Sequence, residues 1–202
     1  MTQGFRAPHR LAAVAAALAV LVAVAACGDL TKPKPQYANF TDTVTVFAIN
    51  GTPIEALAGI HLIGGLTSSP AVPVDGSFSF DLAFDIDGQG SATMYTVRKV
   101  AGGLSTAHSV GVQRVQNTFD ALEKAPTNGF VSDTSFAVAV GNVFAVVSSD
   151  PGACGFSLFS NQLYAKLEIL GVDLGPRTVR ARFTVNPNCG FLSLIPSGVP
   201  KD

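Results

Sequence analysis

Apolar and polar residues alternate along most of the chain after residue 40. The longest example is DGSFSFDLAFDID, residues 75–87, in which every second position from Phe78 to Ile86 is apolar. A period of two is typical of an antiparallel strand with one buried and one solvated face. The residues predicted to face the core are Phe78, Phe80, Leu82, Phe84 and Ile86. Those predicted to face water are Ser79, Asp81, Ala83, Asp85 and Asp87.

The same pattern predicts further strands. They lie at residues 43–50, 91–100, 108–115, 135–140, 143–149, 163–169 and 177–185. Gly141-Asn142 between two of them predicts a hairpin, and residues 117–126 are the one place where we expect a short helical turn. About ten short strands separated by turn signals predict an all-β fold, an antiparallel β-sandwich or barrel.

The strands at 163–169 and 177–185 constrain their own pairing. Both alternate strictly, and a slip of one residue would turn every side chain to the other face of the sheet. Glu168 is therefore predicted to lie opposite either Arg180 or Arg182, and the pattern does not distinguish these two registers.

The turn-rich stretch KAPTNG at residues 124–129 suggests a boundary between two β modules, 41–128 and 129–202. One continuous sandwich is the alternative. The segment VDGSFSFDLAFDID resembles the immunoglobulin-like and transthyretin-like accessory domains of envelope proteins. This resemblance implies a β-sandwich for the first module.

The chain begins with features of an export signal. Arg6 and Arg10 precede an uncharged run of Leu, Ala and Val that ends at Ala26. A basic start, an apolar stretch and small residues at its end describe a signal peptide, which we assign to residues 1–26. The run is shorter than the roughly 20 residues that a spanning helix needs.

Val24-Ala25-Ala26-Cys27 resembles the lipobox of bacterial lipoprotein precursors. That resemblance implies cleavage before Cys27 and acylation of its thiol, followed by a tether over residues 27–40 that contains Lys-Pro-Lys-Pro. It places the protein in the bacterial cell envelope, held to a membrane by lipid and facing outside the cytoplasm. An ordinary signal peptide cut near Ala26 is the alternative.

Acylation of Cys27 leaves two cysteines, an even number that suits an oxidising compartment. CGF occurs at Cys154 and again at Cys189, each time just past a predicted strand and with Gly next to the Cys. We predict a Cys154–Cys189 disulfide that encloses residues 163–185 and staples the second module.

Charge narrows the classes of partner. Residues 1–26 contain two Arg and no acid, so the mature chain has 11 Lys and Arg, 14 Asp and Glu, and a formal net charge of −3. Nucleic-acid-binding proteins usually carry a basic surface, so no nucleic-acid partner is predicted. A protein or glycan partner is left unidentified.

Candidate chemistry is sparse. The best candidates for calcium ligands are Asp81, Asp85 and Asp87. The sequence around them does not supply the remaining ligands of a calcium-binding loop. His61 and His108 have no neighbours at zinc spacing. A basic stripe of Lys166, Arg177, Arg180 and Arg182 is better explained as a solvated face paired with Glu168. No metal, cofactor or catalytic residue is predicted.

The predicted function is therefore non-catalytic binding or a structural role. A carbohydrate-binding or adhesion module and a hydrolase with a dispersed site are the alternatives. An exposed aromatic platform would favour the first alternative. A pocket that joins His61 or His108 to an acid and a Ser would favour the second.

Overall fold

The computed structural model describes residues 34–62, 69–102, 104, 108–149, 154 and 160–200. The described residues from Pro35 onward belong to one compact unit. Its strands are β1 Phe40–Phe47, β2 Gly59–Ile60, β3 Ala71–Val72, β4 Leu82–Ile86, β5 Ala92–Thr96, β6 Ser109–Val115, β7 Ser135–Val138, β8 Val143–Ser149, β9 Leu163–Asp173 and β10 Thr178–Asn186. One short helix, α1, spans Val97–Val100. Within the described residues, no helix has the length and apolar character needed to cross a membrane.

The strands form two five-stranded antiparallel sheets. Sheet A has the order β1-β10-β9-β8-β6, and sheet B has the order β3-β2-β4-β5-β7. The predicted all-β antiparallel fold of about ten strands is confirmed, as two packed sheets rather than a closed barrel.

The inner faces of the two sheets share the main core. Sheet A contributes alternating residues such as Leu167 and Ile169 on β9 and Val179 and Phe183 on β10, and sheet B contributes Phe84 and its neighbours. Each of these side chains is withdrawn from water, which stabilises the fold in proportion to the apolar area buried. The alternation predicted for β9 and β10 therefore places the correct faces inward.

Pairing of β9 with β10 settles the register that the sequence left open. Glu168 lies opposite Arg182, and Arg182 Nη2 donates a hydrogen bond of 2.7 Å to Glu168 Oε2. Arg180 lies opposite Gly171, and the register shifts between Arg180 and Ala181. This irregularity adds a residue to β9, a β-bulge that simple alternation does not anticipate.

Strands from both sides of residue 128 share each sheet. In sheet A, β1 pairs with β10 and β6 pairs with β8, while in sheet B β5 pairs with β7. Each sheet therefore combines strands from the two predicted modules, 41–128 and 129–202.

A second, smaller core covers the outer face of sheet A. Irregular segments around residues 117–131 and 187–200 lie over it, and two isolated bridges, Val112–Val131 and Lys124–Ser193, help to hold them. The buried residues of this second core are Phe119, Leu122, Ala125, Val143, Ala145, Tyr164 and Leu194. The predicted helical turn in 117–126 is a single turn closed by the Leu122 N–H donating to the Thr118 carbonyl at 3.1 Å.

The long strand predicted at 75–87 is wrong in its first half. Phe78 has a φ of 50°, in the left-handed region that strand residues do not occupy, and only Leu82–Ile86 is strand. The predicted solvated face is also wrong at two positions, since Asp81 and Ala83 are fully buried.

The predicted hairpin at Gly141-Asn142 is also wrong. β7 joins sheet B while β8 joins sheet A, so this turn connects the two sheets. The reason is a tertiary contact: the Gly141 N–H donates to the Ile169 carbonyl at 2.8 Å, and the Ile169 N–H donates back to the Asn142 carbonyl at 3.0 Å. The turn is therefore bonded to β9 of sheet A, and the chain continues into sheet A instead of pairing β8 with β7.

Candidate functional site

The predicted signal peptide and the predicted acylation site Cys27 lie outside the described residues, and so does the first half of the predicted tether, residues 27–33. The end of the tether is described, and it is part of the folded domain. The Gln36 and Tyr37 N–H groups both donate to Asn188 Oδ1, at 2.7 and 2.9 Å. Asn188 Nδ2 donates to the Tyr37 carbonyl at 2.8 Å.

The Asn188 side chain acts as a clamp. Its amide makes the hydrogen bonds to the incoming backbone that a neighbouring strand would otherwise make. The side chain is itself held by Asn186, which accepts from the Asn188 N–H at 2.9 Å and from Nδ2 at 2.8 Å. Asn186 Nδ2 in turn donates to the Phe191 and Ser193 carbonyls. The chain that leads from Cys27 thus joins the domain at Gln36, four residues before β1.

The clamp is followed directly by Cys189. Its sulfur lies 2.11 Å from that of Cys154, at disulfide distance and with the Cα atoms 5.9 Å apart. Gly190 has a φ of +85°, and a Cβ there would lie 2.7 Å from Ser160 Cβ. A side chain is excluded at Gly190, which agrees with the prediction that glycine beside the cysteine permits close approach of backbones.

The structure does not bring the three candidate calcium ligands together. Asp87 closes its own turn by accepting from Gln89 and Ser91, and the Ser91 and Gln89 N–H groups lower its pKa. Asp85 accepts from Asn50 Nδ2 at 2.7 Å and lies 3.5 Å from Arg177. Among the described residues there is no group of three or more His, Cys, Asp or Glu that could hold a metal ion.

Asp81 instead forms a buried polar cluster between the two sheets. Its side chain is fully buried, and Oδ2 accepts the Leu62 N–H at 2.7 Å. Oδ1 accepts the Ser148 hydroxyl at 2.8 Å and lies 3.3 Å from His108 Nε2. Because a buried carboxylate is costly without partners, these contacts are what make its burial tolerable.

The strands explain how these residues meet. Ser148 follows Phe144 and Val146 on the inner face of β8, and His108 precedes Val110 and Val112 on the inner face of β6. Both strands belong to sheet A, while Asp81 directly precedes β4 of sheet B. The His61 ring, next to β2, has its centroid 6.2 Å from that of His108.

The order of contacts differs from that of a serine hydrolase triad. In a triad the histidine lies between the serine, whose proton it takes, and the acid. Here the acid lies in the middle, and Ser148 donates its hydrogen to Asp81 rather than to an imidazole. The arrangement joins the two sheets and does not have the geometry that activates a serine as a nucleophile.

The four residues of the predicted basic stripe have different surroundings. Lys166 is fully buried on the outer face of sheet A, and its Nζ donates to the Phe119 and Leu122 carbonyls at 2.7 and 3.0 Å. Arg182 lies 4.0 Å from the centroid of the Phe119 ring and pairs with Glu168. The predicted solvated face is therefore wrong at Lys166, because the segment around Phe119 covers it.

The two remaining cations are separate. Arg177 binds the Asn50 carbonyl through Nε at 3.0 Å and also the Ile86 carbonyl, so it ties the β9–β10 turn to sheet B. Arg180 is exposed. The predicted pairing of this face with Glu168 is made by Arg182.

Burial of Lys166 predicts a pH-dependent stability. Desolvation lowers its pKa from the ordinary 10.5. Between the lowered and the ordinary pKa the unfolded chain binds more protons than the folded one, so wild-type stability should rise with pH across that window. We expect urea unfolding at pH values rising toward the ordinary pKa of 10.5 to show the wild type gaining stability relative to Lys166→Met.

Lys99→Met is the matched control, because Lys99 is exposed on α1. Its stability should follow the wild type at every pH. If Lys166→Met also ran parallel to the wild type, the buried amine would not be the titrating group.

Two surface cavities lie at opposite edges of sheet A. A polar groove of about 430 Å³ is lined by residues 114–118 and 141–143, where β6 ends and β8 begins. A mainly apolar cavity of about 530 Å³ lies where β1 begins and β10 ends. Its lining residues are Tyr37, Ala38, Asn39, Phe40 and Pro187.

Comparisons with known proteins give no relative of this chain. No protein-family model matches it, and no curated protein or solved structure matches it significantly.

Proposed function

We propose that this chain is a lipid-anchored protein of the bacterial cell envelope whose β-sandwich has a non-catalytic role in binding or structure. The observation that carries the proposal is the sequence Val24-Ala25-Ala26-Cys27 at the end of a basic and apolar leader. The folded domain supports it, because an all-β unit begins only a short distance after Cys27. A secreted, unanchored protein would not need that cysteine.

The buried polar cluster supports the non-catalytic part of the proposal. Asp81, Ser148 and His108 are the acid, serine and histidine of the hydrolase alternative, and they do meet. However, Ser148 donates to Asp81, and His108 approaches the same carboxylate oxygen. The serine proton is thus held by the acid rather than by the imidazole, and all three side chains are shielded from solvent.

The carbohydrate-binding alternative finds little support on the described surface. Sugar-binding surfaces commonly use exposed aromatic rings, and among the described aromatic residues only Tyr37, before β1, and Phe47, at the other end of β1, are exposed. The polar groove at residues 114–118 and 141–143 has no aromatic residue in its lining. No partner is therefore assigned to the groove.

The anchor is tested by Cys27→Ser. We expect this variant to lose metabolic palmitate labelling and to move from the membrane fraction to the soluble fraction, because each buried CH₂ of an acyl chain contributes ~0.8 kcal/mol to membrane binding. The double variant Cys154→Ser/Cys189→Ser keeps Cys27 and should remain labelled. Label and membrane binding that persist in Cys27→Ser would contradict the proposed anchor.

The non-catalytic role is tested with a fluorophosphonate probe, which reacts with activated serines. We expect no labelling of the native protein, because the Ser148 hydroxyl is buried and donates to a carboxylate. Ser148→Ala serves as the control. Labelling of the wild type that disappears in Ser148→Ala would establish the hydrolase alternative instead.

A further inference from the structure

A partly exposed apolar surface lies at the end of the sandwich where β1 begins. We define the Tyr37 patch as Tyr37, Phe40, Pro187 and Val199. Tyr37 is 62% exposed and Val199 is 47% exposed. Tyr37, Phe40 and Pro187 line the mainly apolar cavity of about 530 Å³, and no charged residue contributes to its lining.

Hydrogen bonds hold the patch as a fixed part of the domain. The Asn188 clamp fixes Tyr37 through its N–H and its carbonyl. The Asn39 N–H donates to the Gly198 carbonyl at 3.1 Å, which holds the segment of Val199 beside the start of β1. Thr41 Oγ1 adds a bond of 2.8 Å to the Pro196 carbonyl. The patch is thus built from the first and the last parts of the folded chain.

The length of chain before the patch restricts where it can lie. Eight residues separate Cys27 from Gln36. Even fully extended, they reach about 30 Å, so an acylated Cys27 keeps the patch within that distance of the bilayer. Since the clamp fixes Gln36 and Tyr37, the Tyr37 patch lies directly beside the point where the chain from Cys27 enters the domain.

The chemistry of the patch fits the region between lipid head groups and acyl chains. Tyrosine is enriched in that region because its ring is apolar and its hydroxyl can remain hydrated. Lys34, exposed three residues before Tyr37, adds a positive charge that anionic head groups attract. We propose that the Tyr37 patch docks on the interface of the bilayer that holds Cys27. This inference rests on the proposed lipid anchor.

Docking of this patch would orient the whole sandwich. β1 runs away from the patch for eight residues, about 25 Å, toward the turn at Asn50-Gly51. Ile54, 74% exposed, lies just beyond that distal end. The end of the sandwich that carries Ile54 would therefore face away from the membrane.

The chain contains no Trp, so a single introduced tryptophan can report on depth. Three variants of the full mature, acylated protein are needed: Tyr37→Trp, Val199→Trp and, as the distal control, Ile54→Trp. Each is reconstituted in vesicles of phosphatidylethanolamine and phosphatidylglycerol, with and without brominated acyl chains. We expect blue-shifted emission and quenching by brominated lipid at positions 37 and 199, and neither effect at position 54.

Each other outcome would overturn the docking. Quenching at 37 without quenching at 199 would mean that only the chain near the anchor touches lipid. A blue shift at 37 without quenching would mean that protein, a second copy or a partner, covers the patch.

Mass spectrometry of Cys27 on the same samples separates the two proposals. A chain without acyl groups overturns the anchor and the docking. An acylated chain in which the tryptophan at position 37 emits and is quenched like the tryptophan at position 54 overturns the docking alone.

Discussion

Replacing Asp81 by Ala is expected to lower the free energy of unfolding by about 3–5 kcal/mol, because it removes the centre of a buried polar cluster. The Leu62 N–H and the Ser148 hydroxyl would both lose the acceptor that they use in the wild type. Each unsatisfied buried donor costs about 1–3 kcal/mol. The methyl group of Ala also leaves space that neighbouring side chains would fill only in part.

Urea unfolding at neutral pH measures this loss. Asp81→Asn keeps one acceptor oxygen, so its loss should be smaller than that of Asp81→Ala. Asp42→Ala is the matched control, because Asp42 is an exposed carboxylate that accepts from the N–H of the next residue. Surface changes of this kind usually stay within about 0.5 kcal/mol. An Asp81→Ala variant as stable as Asp42→Ala would contradict the role of the cluster in joining the sheets.

Coupling to Ser148 makes the test specific. In a double-mutant cycle, Ser148→Ala should cost less in the Asp81→Ala background than in the wild type, since its partner is already gone. Equal costs in the two backgrounds would show that Asp81 and Ser148 stabilise the fold independently.

The sequence predicts burial most accurately where the pattern of a single strand determines which side chains face the core. β9 and β10 alternate strictly, and their predicted inward residues, such as Leu167 and Phe183, form part of the main core. The Glu168–Arg182 pair is one of two predicted registers, and the bulge near Arg180 decides between them. Such local patterns are sufficient for the fold class.

Prediction fails where a distant segment covers a strand. Lys166 alternates with core residues and is predicted to face water, but the segment around Phe119, more than forty residues earlier, lies over it. The prediction for Asp81 is wrong for a related reason, because its partners Leu62 and Ser148 lie far away in the chain. An alternation with a period of two residues identifies the two faces of a strand. It does not show whether another segment of the chain covers the outer face.

A partial signal for the cluster is present in the sequence. His108 and Ser148 continue the inward positions of β6 and β8, so alternation places both on a core-facing side. Polar residues at core positions need partners. That requirement indicates a buried acceptor, although only the tertiary fold identifies it as Asp81.

The tether illustrates a different limit. Residues 27–40 are predicted to be a spacer because Lys-Pro-Lys-Pro has no periodic pattern. Gln36 and Tyr37 are nevertheless fixed, by Asn188 from the opposite end of the chain. A hydrogen bond across about 150 residues leaves no trace in local composition, since the bonded groups on the tether side are backbone amides that every sequence has.

Removing the Cys154–Cys189 link is expected to destabilise the protein by about 4 kcal/mol. The two cysteines are 35 residues apart and enclose β9 and β10, two adjacent interior strands of sheet A. Closing a loop of this length restricts the unfolded chain far more than the folded one, where the ends already meet. The loss is comparable to much of the stability of a small domain, which is about 5–15 kcal/mol. Cys189 also follows the Asn188 clamp, so the residues that fix the tether should loosen with it.

Urea unfolding of the Cys154→Ser/Cys189→Ser variant and of the wild type, each with and without dithiothreitol, measures the effect. Dithiothreitol should lower the unfolding midpoint of the wild type and leave that of the double variant unchanged, because only the wild type has a bond to reduce. Non-reducing mass spectrometry of the mature wild type should find the two cysteine peptides cross-linked. Two free, alkylatable thiols at these positions, or a wild-type midpoint that ignores the reductant, would contradict the disulfide.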